Sequence, residues 1–428
     1  MYPDFQYLLQ SLFGTDMPAW LSIFKTFGFL VALSFLGAAI STVSELRRKE
    51  KDGLLLPEIE STEVGKPATA NELLWSAILG FIIGYKAGGI FGNASTVAPN
   101  PMGYLFSIQG NVLVGIAGAL IMAYAKYADK KKEALPEPKI KKIAIYPHQR
   151  ISEIAIISAV GGFAGAKIFN AFETWDDFIR NPAENLLSSS GLTFYGGLIV
   201  ATAALYYYAR KHNIGFKYLC DAAAPGLMLA YGLGRLGCQF AGDGDWGIFN
   251  SAYVTDPATG SLMHVTPDAF MHYVQNSAHY FMNNFGTVTN VPHMYCSAPN
   301  WLPRWLFAMN YPHNVNNEGI MLANCTGHYC GVLPISVFPT PLYEAAVCVA
   351  LFGLLWAVRK RLKKPLQMFG LYLILTGIER FFVELIRVNY KYDWGFIHPT
   401  QAEIISVCLV IVGAVILATR RSKEVDMS

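Results

Sequence analysis

Apolar residues along this chain gather into nine long runs separated by short polar segments, at roughly 21–44, 72–92, 104–125, 151–170, 193–209, 221–240, 342–358, 367–388 and 401–419. The hydrocarbon core of a bilayer takes about 20 apolar residues per helix, and these runs are near that length. Several contain repeated glycines, which membrane helices carry more often than soluble ones. The first run follows MYPDFQYLLQ, acidic and aromatic rather than basic, so it is expected to stay as an anchor and not to be cleaved as a signal peptide. The pattern predicts an all-α polytopic membrane protein with about nine transmembrane helices. Between the sixth and seventh runs lies a polar segment, 241–340. Alternation in SAYVTD (251–256) and GTVTNV (286–291) predicts strand there, hence a small mixed head domain. The expected division is membrane helices over 1–240, the head over 241–340, and membrane helices with a tail over 341–428.

Composition agrees with this pattern. Charged residues are 15% of the 428, apolar residues 53%, and mean hydropathy is +0.32. A soluble globular protein carries about 25% charged residues. This excludes a soluble enzyme and a disordered chain. A net charge of +3 is too small to imply a polyanionic partner, so no nucleic acid is expected. The distribution of Lys and Arg adds an orientation. With the N-terminus outside, the inside segments 45–71, 126–150, 210–219, 359–366 and 420–428 hold 24 of the 33 basic residues. The outside segments hold Arg180, Arg304 and Lys391. Basic residues favour the cytoplasmic side, so the N-terminus and the head are expected outside and the C-terminus cytoplasmic.

Two weaker patterns stand beside this frame. Glu72, Gly80, Gly84, Lys86 and Phe91 recur 81 residues later as Glu153, Gly161, Gly165, Lys167 and Phe172. Either a duplicated segment or chance similarity of glycine-rich helices accounts for the match. In the head, CTGHYC (325–330) is open to a disulfide or to a His/Cys metal site.

An ionised Arg inside a span costs at least ~2.5–3.5 kcal/mol on insertion scales, so such residues usually have a partner or a task. Arg235 and Arg380 lie in the outer parts of their runs, at about the depth of Lys86, Lys167 and Tyr195. Snorkelling to headgroup level is the bland reading, and it suits the two lysines better than Arg235, which stands in GRLGCQF between glycines. Arg380, Glu384 and Arg387 have the spacing of one helical face. Glu384 would balance one of these arginines, leaving a surplus of about two positive charges to bind a lipid phosphate. A purely structural ion-pair network is the alternative. Asp243 and Asp245 follow on a glycine-rich turn. No further ligands stand at metal-site spacing, and no metal is expected.

Four segments then resemble the prolipoprotein diacylglyceryl transferase family. GLTFYGGLIV (191–200) is similar to the family's G-L-S-F-H-G-G-L. DAAAPGLMLAYGLGRLGCQFAGDGDWG (221–247) is similar to its D-x-x-A-P…G-R-x-G-N/C signature. PTPLYEA (339–345) resembles H-P-[ST]-Q-L-Y-E, and GLYLILTGIERFFVELIR (370–387) resembles Y-G-x-x-R-F-x-x-E-x-x-R. The family's histidine in the first segment is Tyr195 here. The third segment has Phe338 and Pro341 for His and Gln, and the fourth has Thr376 for Tyr. The hairpin 72–125 has no counterpart in the family's usual arrangement.

The resemblance implies an enzyme of the bacterial inner membrane that needs no cofactor. Its partners would be the bilayer, phosphatidylglycerol and preprolipoprotein signal peptides. The diacylglyceryl group would pass from the lipid to the thiol of the lipobox cysteine, and glycerol phosphate would leave. Catalytic roles would fall to Arg235, Arg380, Tyr195, Asp243 and Glu384. Substrate binding would fall to Arg235, Gln239, Gly196, Gly197, Tyr343, Glu344 and Arg387. The identity of the base stays open. Tyr195 reads best as an orienting group, with Asp243 and Asp245 as other bases and Glu384 behind them. A lipid-binding paralogue without catalysis and a transporter are the competing functions.

Overall fold

A computed structural model describes residues 1–92, 97, 101–135, 139–187, 191–323, 325, 327–389, 392–393, 395 and 397–421. Lys391 and the tail from 422 onward, both used in the orientation argument, lie outside these residues. Among the described residues, nine helices have eighteen or more residues: α1 (Thr26–Lys51), α2 (Ala70–Gly92), α3 (Val112–Glu133), α4 (Ile151–Glu173), α5 (Phe194–Lys211), α6 (Phe216–Ala241), α7 (Thr340–Val358), α8 (Gln367–Glu384) and α9 (Gln401–Arg421). Each lies on one of the nine predicted runs. Six of them (α1–α4, α7 and α9) are long and apolar enough to cross a membrane. The chain is therefore mostly helical and polytopic.

Two ends differ from expectation for polar reasons. The run 104–125 is broken. A short helix, Pro101–Phe106, ends at Ser107, and α3 begins only after Asn111, whose side chain accepts the Val114 N–H at 3.2 Å. An Asn in that position satisfies one of the orphan donors of a first helical turn. The run 367–388 stops being helical at Glu384, so Arg387 does not share a helical face with Arg380 and Glu384. It forms a bridge with Gly247 instead.

The chain divides into two compact units, one of residues 1–15, 24–45 and 217–428, the other of residues 16–23 and 46–216. The second unit is a repeat. Strand β1 (Glu58–Val64), α2 and the helix Pro101–Phe106 begin at Glu58, Ala70 and Pro101. Strand β2 (Lys139–Ile145), α4 and the helix Pro182–Leu187 begin 81 residues later, at Lys139, Ile151 and Pro182. Each copy folds into a hairpin of two helices, α2 with α3 and α4 with α5, whose backbones approach through glycine. A Cβ on Gly84 would stand 2.4 Å from the Val114 carbonyl oxygen, and one on Gly165 would stand 2.4 Å from that of Gly196. Each lysine does the same work 18 residues downstream. Lys86 Nζ donates to the Tyr104 carbonyl at 2.9 Å, and Lys167 Nζ donates to the Asn185 carbonyl at 3.1 Å. The two lysines thus hold the turns of their hairpins, which replaces the snorkelling reading. β1 and β2 pair antiparallel with Ser61 opposite Lys142, its own counterpart, so the two strands are related by a local two-fold axis. The α2–α3 hairpin is thus a second copy of the α4–α5 hairpin.

In the first unit, α6 packs on α1 where Gly226 lets the Ala38 carbonyl come close. A Cβ there would be 2.8 Å from that oxygen. Asp221, near the start of α6, is buried and accepts the N–H groups of Leu366 at 2.7 Å and Phe369 at 2.9 Å. It therefore caps α8 from a neighbouring helix. Residues 241–340 build a sheet around β3 (Phe249–Thr255). β4 (Leu262–His264) and β5 (Ile335–Val337) flank it antiparallel, and His293–Met294 pairs with it parallel. All seven residues of β3 are buried, and Phe249, Val254, Phe281, Tyr311 and Ile335 form the core around it. SAYVTD is thus strand. GTVTNV is not, because the Thr287 hydroxyl accepts the N–H groups of Thr289 and Asn290 and makes a local turn in place of a ladder. Cys325 and Cys330 form a disulfide with Cα atoms 5.6 Å apart.

Candidate functional site

The residues of the first unit that the sequence singles out meet where α6 leaves the helical layer. α6 carries Tyr231 and Arg235 one turn apart, and it ends at Ala241. The chain then turns through Gly242 and Gly244, whose φ values of 66° and 98° are open to glycine far more than to other residues. That turn sends Asp245 back beneath Arg235. The Arg235 guanidinium contacts Asp245 through Nη1 and Glu344 of α7 through Nε, the latter at 2.6 Å. Arg387 reaches the same two carboxylates, Asp245 at 2.5 Å and Glu344 at 3.4 Å. Glu344 is fully buried and also accepts the Tyr231 hydroxyl at 2.8 Å. Backbone bonds fix the same corner. The Ile248 N–H donates to the Ile386 carbonyl, and the Thr340 hydroxyl donates to the Asp245 carbonyl, each at 2.9 Å.

Arg380 pairs with Glu384 one turn along α8, at 2.8 Å, and Glu384 also accepts the Asn389 side-chain amide at 2.6 Å. Nη1 of Arg380 is buried with no hydrogen-bond partner among the described residues. Tyr231 and Glu379 each lie within electrostatic reach of both Arg235 and Arg380. The two arginines therefore share Tyr231 and Glu379 as neighbours. The expected surplus of two positive charges is not there. Asp245 and Glu344 engage Arg235 and Arg387, Glu384 engages Arg380, and Glu379 stands close by. Three guanidiniums face four carboxylates, because only Glu384 was counted against the arginines and the turn that folds Asp245 inward leaves no hydropathy signal.

The remaining residues have other surroundings. Gln239 joins α6 to the 241–340 segment, accepting the Tyr311 hydroxyl at 2.8 Å and donating to the Met309 sulfur at 3.1 Å. The Tyr343 hydroxyl donates to the Leu306 carbonyl. Tyr195 opens α5 in the second unit. There Gly196 and Gly197 are packing positions, because Cβ atoms on them would stand 2.3 Å from Phe169 Cβ and 2.7 Å from the Gly162 carbonyl oxygen. Sequence reasoning passed over Tyr231 and Glu379. A Tyr four residues before Arg235 and an acid inside an apolar helix were the available signals.

Burial pushes the Asp243 carboxyl above its ordinary value of 3.8, and neighbouring Asp245 adds to this while the Cys238 thiol opposes it. Burial also acts to raise Asp245, but the Arg387 and Arg235 charges outweigh it and hold that carboxyl below 3.8. A depressed carboxyl contributes stability that is present above its unfolded value and lost as pH falls through its folded one. Asp245→Asn is accordingly expected to melt below the wild type at pH 7, with the gap closing below about pH 4. Melting curves in detergent from pH 3 to 7 measure this, and a gap independent of pH would contradict it. Two groups of His, Cys or carboxylate atoms are close enough to hold a cation, Cys238/Asp243/Asp245 and Glu58/Glu60/His212. Arginines already contact carboxylates in each, Arg235 and Arg387 the Asp245 carboxylate in the first, Arg150 both glutamates in the second.

Similarity to known proteins covers the same part of the chain. A family profile described as prolipoprotein diacylglyceryl transferase matches residues 111–419, which include every element of the arginine cluster. The chain is 24% identical over 293 residues to the phosphatidylglycerol–prolipoprotein diacylglyceryl transferase of Dehalococcoides mccartyi, covering 67% of this chain and 84% of that protein. It is 27% identical over 276 residues to the protein of that name from Xanthomonas oryzae pv. oryzae (62% and 73%), and 24% over 312 residues to that of Leptospira interrogans (61% and 76%). Matched by that profile over well more than half of its length, the chain belongs to the prolipoprotein diacylglyceryl transferase family.

Proposed function

We propose that this protein transfers the diacylglyceryl group of phosphatidylglycerol to the lipobox cysteine of preprolipoproteins and releases glycerol phosphate. The observation that carries the reading is the gathering of Arg235, Arg380 and Arg387 around shared carboxylates in a poorly solvated corner. Guanidinium groups bind phosphate in bidentate fashion. The N–H groups of Arg235 and Arg380 not held by carboxylates, Arg380 Nη1 among them, are the donors for the lipid phosphate. As sulfur attacks the glyceryl carbon, charge grows on the departing phosphate, and fixed donors stabilise it without reorganising. The nucleophile belongs to the peptide, so none of this chain's cysteines takes part. Asp245 is a poor base because both its oxygens are in ion pairs.

The orientation belongs to the same proposal. All nine helices span the bacterial inner membrane, the N-terminus and the 241–340 head lie outside, and the C-terminus is cytoplasmic. The Cys325–Cys330 disulfide supports an oxidising location for the head. A thiol placed as Ser261→Cys is expected to react with an impermeant reagent on intact cells, and Lys131→Cys is not. The reverse pattern would remove the orientation. For activity, purified protein is mixed in detergent with phosphatidylglycerol and a lipobox peptide. Lipidated peptide and glycerol phosphate are expected in equal amounts. Substitution of Tyr195 for the family histidine favours a second reading, a paralogue that binds the lipid without chemistry. Lipid binding with neither product would establish that one.

A further inference from the structure

Glu379 is the residue of this corner that the reading above leaves unused. It is 5% exposed, and both carboxylate oxygens are buried with no well-formed hydrogen bond among the described residues, the Tyr231 hydroxyl being their nearest polar donor. The adjacent Tyr231 hydroxyl donates to Glu344. Tyr231, Arg235, Glu344, Arg380, Tyr372 and Cys348 are the titratable and charged groups that face it. Burying a carboxylate without partners is costly, and native proteins rarely leave such oxygens unmet. Asp245, Glu344 and Glu384 are each held in an ion pair, so protonating any of them would break one. Glu379 takes part in no ion pair among the described residues. It can take a proton without dismantling the arginine cluster.

We propose that Glu379 is the proton acceptor for the incoming thiol. The proposal rests on the transferase reading. The lipobox S–H proton moves to a Glu379 oxygen. The sulfur electron pair forms the S–C bond to the glyceryl carbon, and the C–O bond to phosphate breaks. Glycerol phosphate leaves with that electron pair on its phosphate, beside Arg235 and Arg380. The Glu379 proton then passes to solvent or to the product. Atoms and charge balance with the two substrates alone.

The test compares wild type with Glu379→Gln, a change of nearly equal shape, on two peptides: one with the lipobox cysteine, one with selenocysteine in its place. A selenol is ionised at neutral pH and needs no base. A positioned base contributes roughly 10²–10⁴-fold, so Glu379→Gln is expected to lower kcat on the cysteine peptide by at least about 10²-fold. Melting temperature and KM for phosphatidylglycerol stay near wild type, and the selenocysteine peptide restores most of the rate. A wild-type rate in the variant would overturn the proposal. So would a loss that selenocysteine does not rescue, or rescue of Asp243→Asn instead. If wild type itself transfers nothing to either peptide, the transferase reading fails first and takes this inference with it.

Discussion

Arg235→Ala is expected to lower diacylglyceryl transfer by about 10²–10³-fold, the usual consequence of removing one fixed donor to a developing anion. The effect has two origins. The phosphate loses the guanidinium that ion-pairs with both Asp245 and Glu344. Among the described residues those carboxylates then keep Arg387 alone as an arginine partner, and Glu344 is fully buried, so its remaining charge is poorly matched. Removing one partner of a buried pair costs about 3–5 kcal/mol, so the alanine variant is also expected to melt lower. Arg235→Lys separates the two effects. A lysine keeps the charge but offers one ammonium where the arginine binds one carboxylate through Nη1 and another through Nε. Its melting temperature is therefore expected to recover more than its transfer rate. Product formation and thermal melting on the same samples measure both. A lysine variant with wild-type transfer would show that charge alone suffices and that the two-sided geometry is irrelevant.

Gly165→Val is expected to damage the second unit most. The new Cβ would stand 2.4 Å from the Gly196 carbonyl and 2.7 Å from Val200 Cβ, and a backbone carbonyl cannot rotate away. Overpacking of this kind costs about 1–3 kcal/mol, and a clash with backbone belongs at the upper end. Gly162→Ala, three residues earlier, meets nothing within 4 Å and is the matched control. Melting should fall for the first and stay put for the second. Equal melting of the two variants would mean that the hairpin does not depend on this close approach.

Hydropathy placed the helices because a helix in lipid must be apolar over most of its length, whatever it packs against. It missed the break at Ser107–Asn111, where polar side chains and Lys86 hold a turn inside an apolar-looking run. It missed the end of α8, and so misjudged Arg387. The helical spacing of Arg380, Glu384 and Arg387 is real in the sequence, but Arg387 is claimed by Asp245 and Glu344 from other elements. Motif resemblance supplied Arg235, Arg380, Glu344 and Glu384. It did not supply the charge balance, because the partner of Arg235 comes from a glycine turn whose direction only the fold decides. The repeat was half legible. Five matching residues left chance open, while matching element starts and the paired lysine–carbonyl bonds do not.

The two-fold pairing of β1 with β2 carries a further consequence. In a chain with a single copy, the equivalent strand would have an open edge whose natural mate is the same strand of another molecule. Here the second copy supplies that mate within one chain. The strands have since diverged in charge: β1 carries Glu58, Glu60 and Glu63, and β2 carries Lys139, Lys141 and Lys142. Two β1 strands, or two β2 strands, would now repel one another, so the edge is sealed against its own kind.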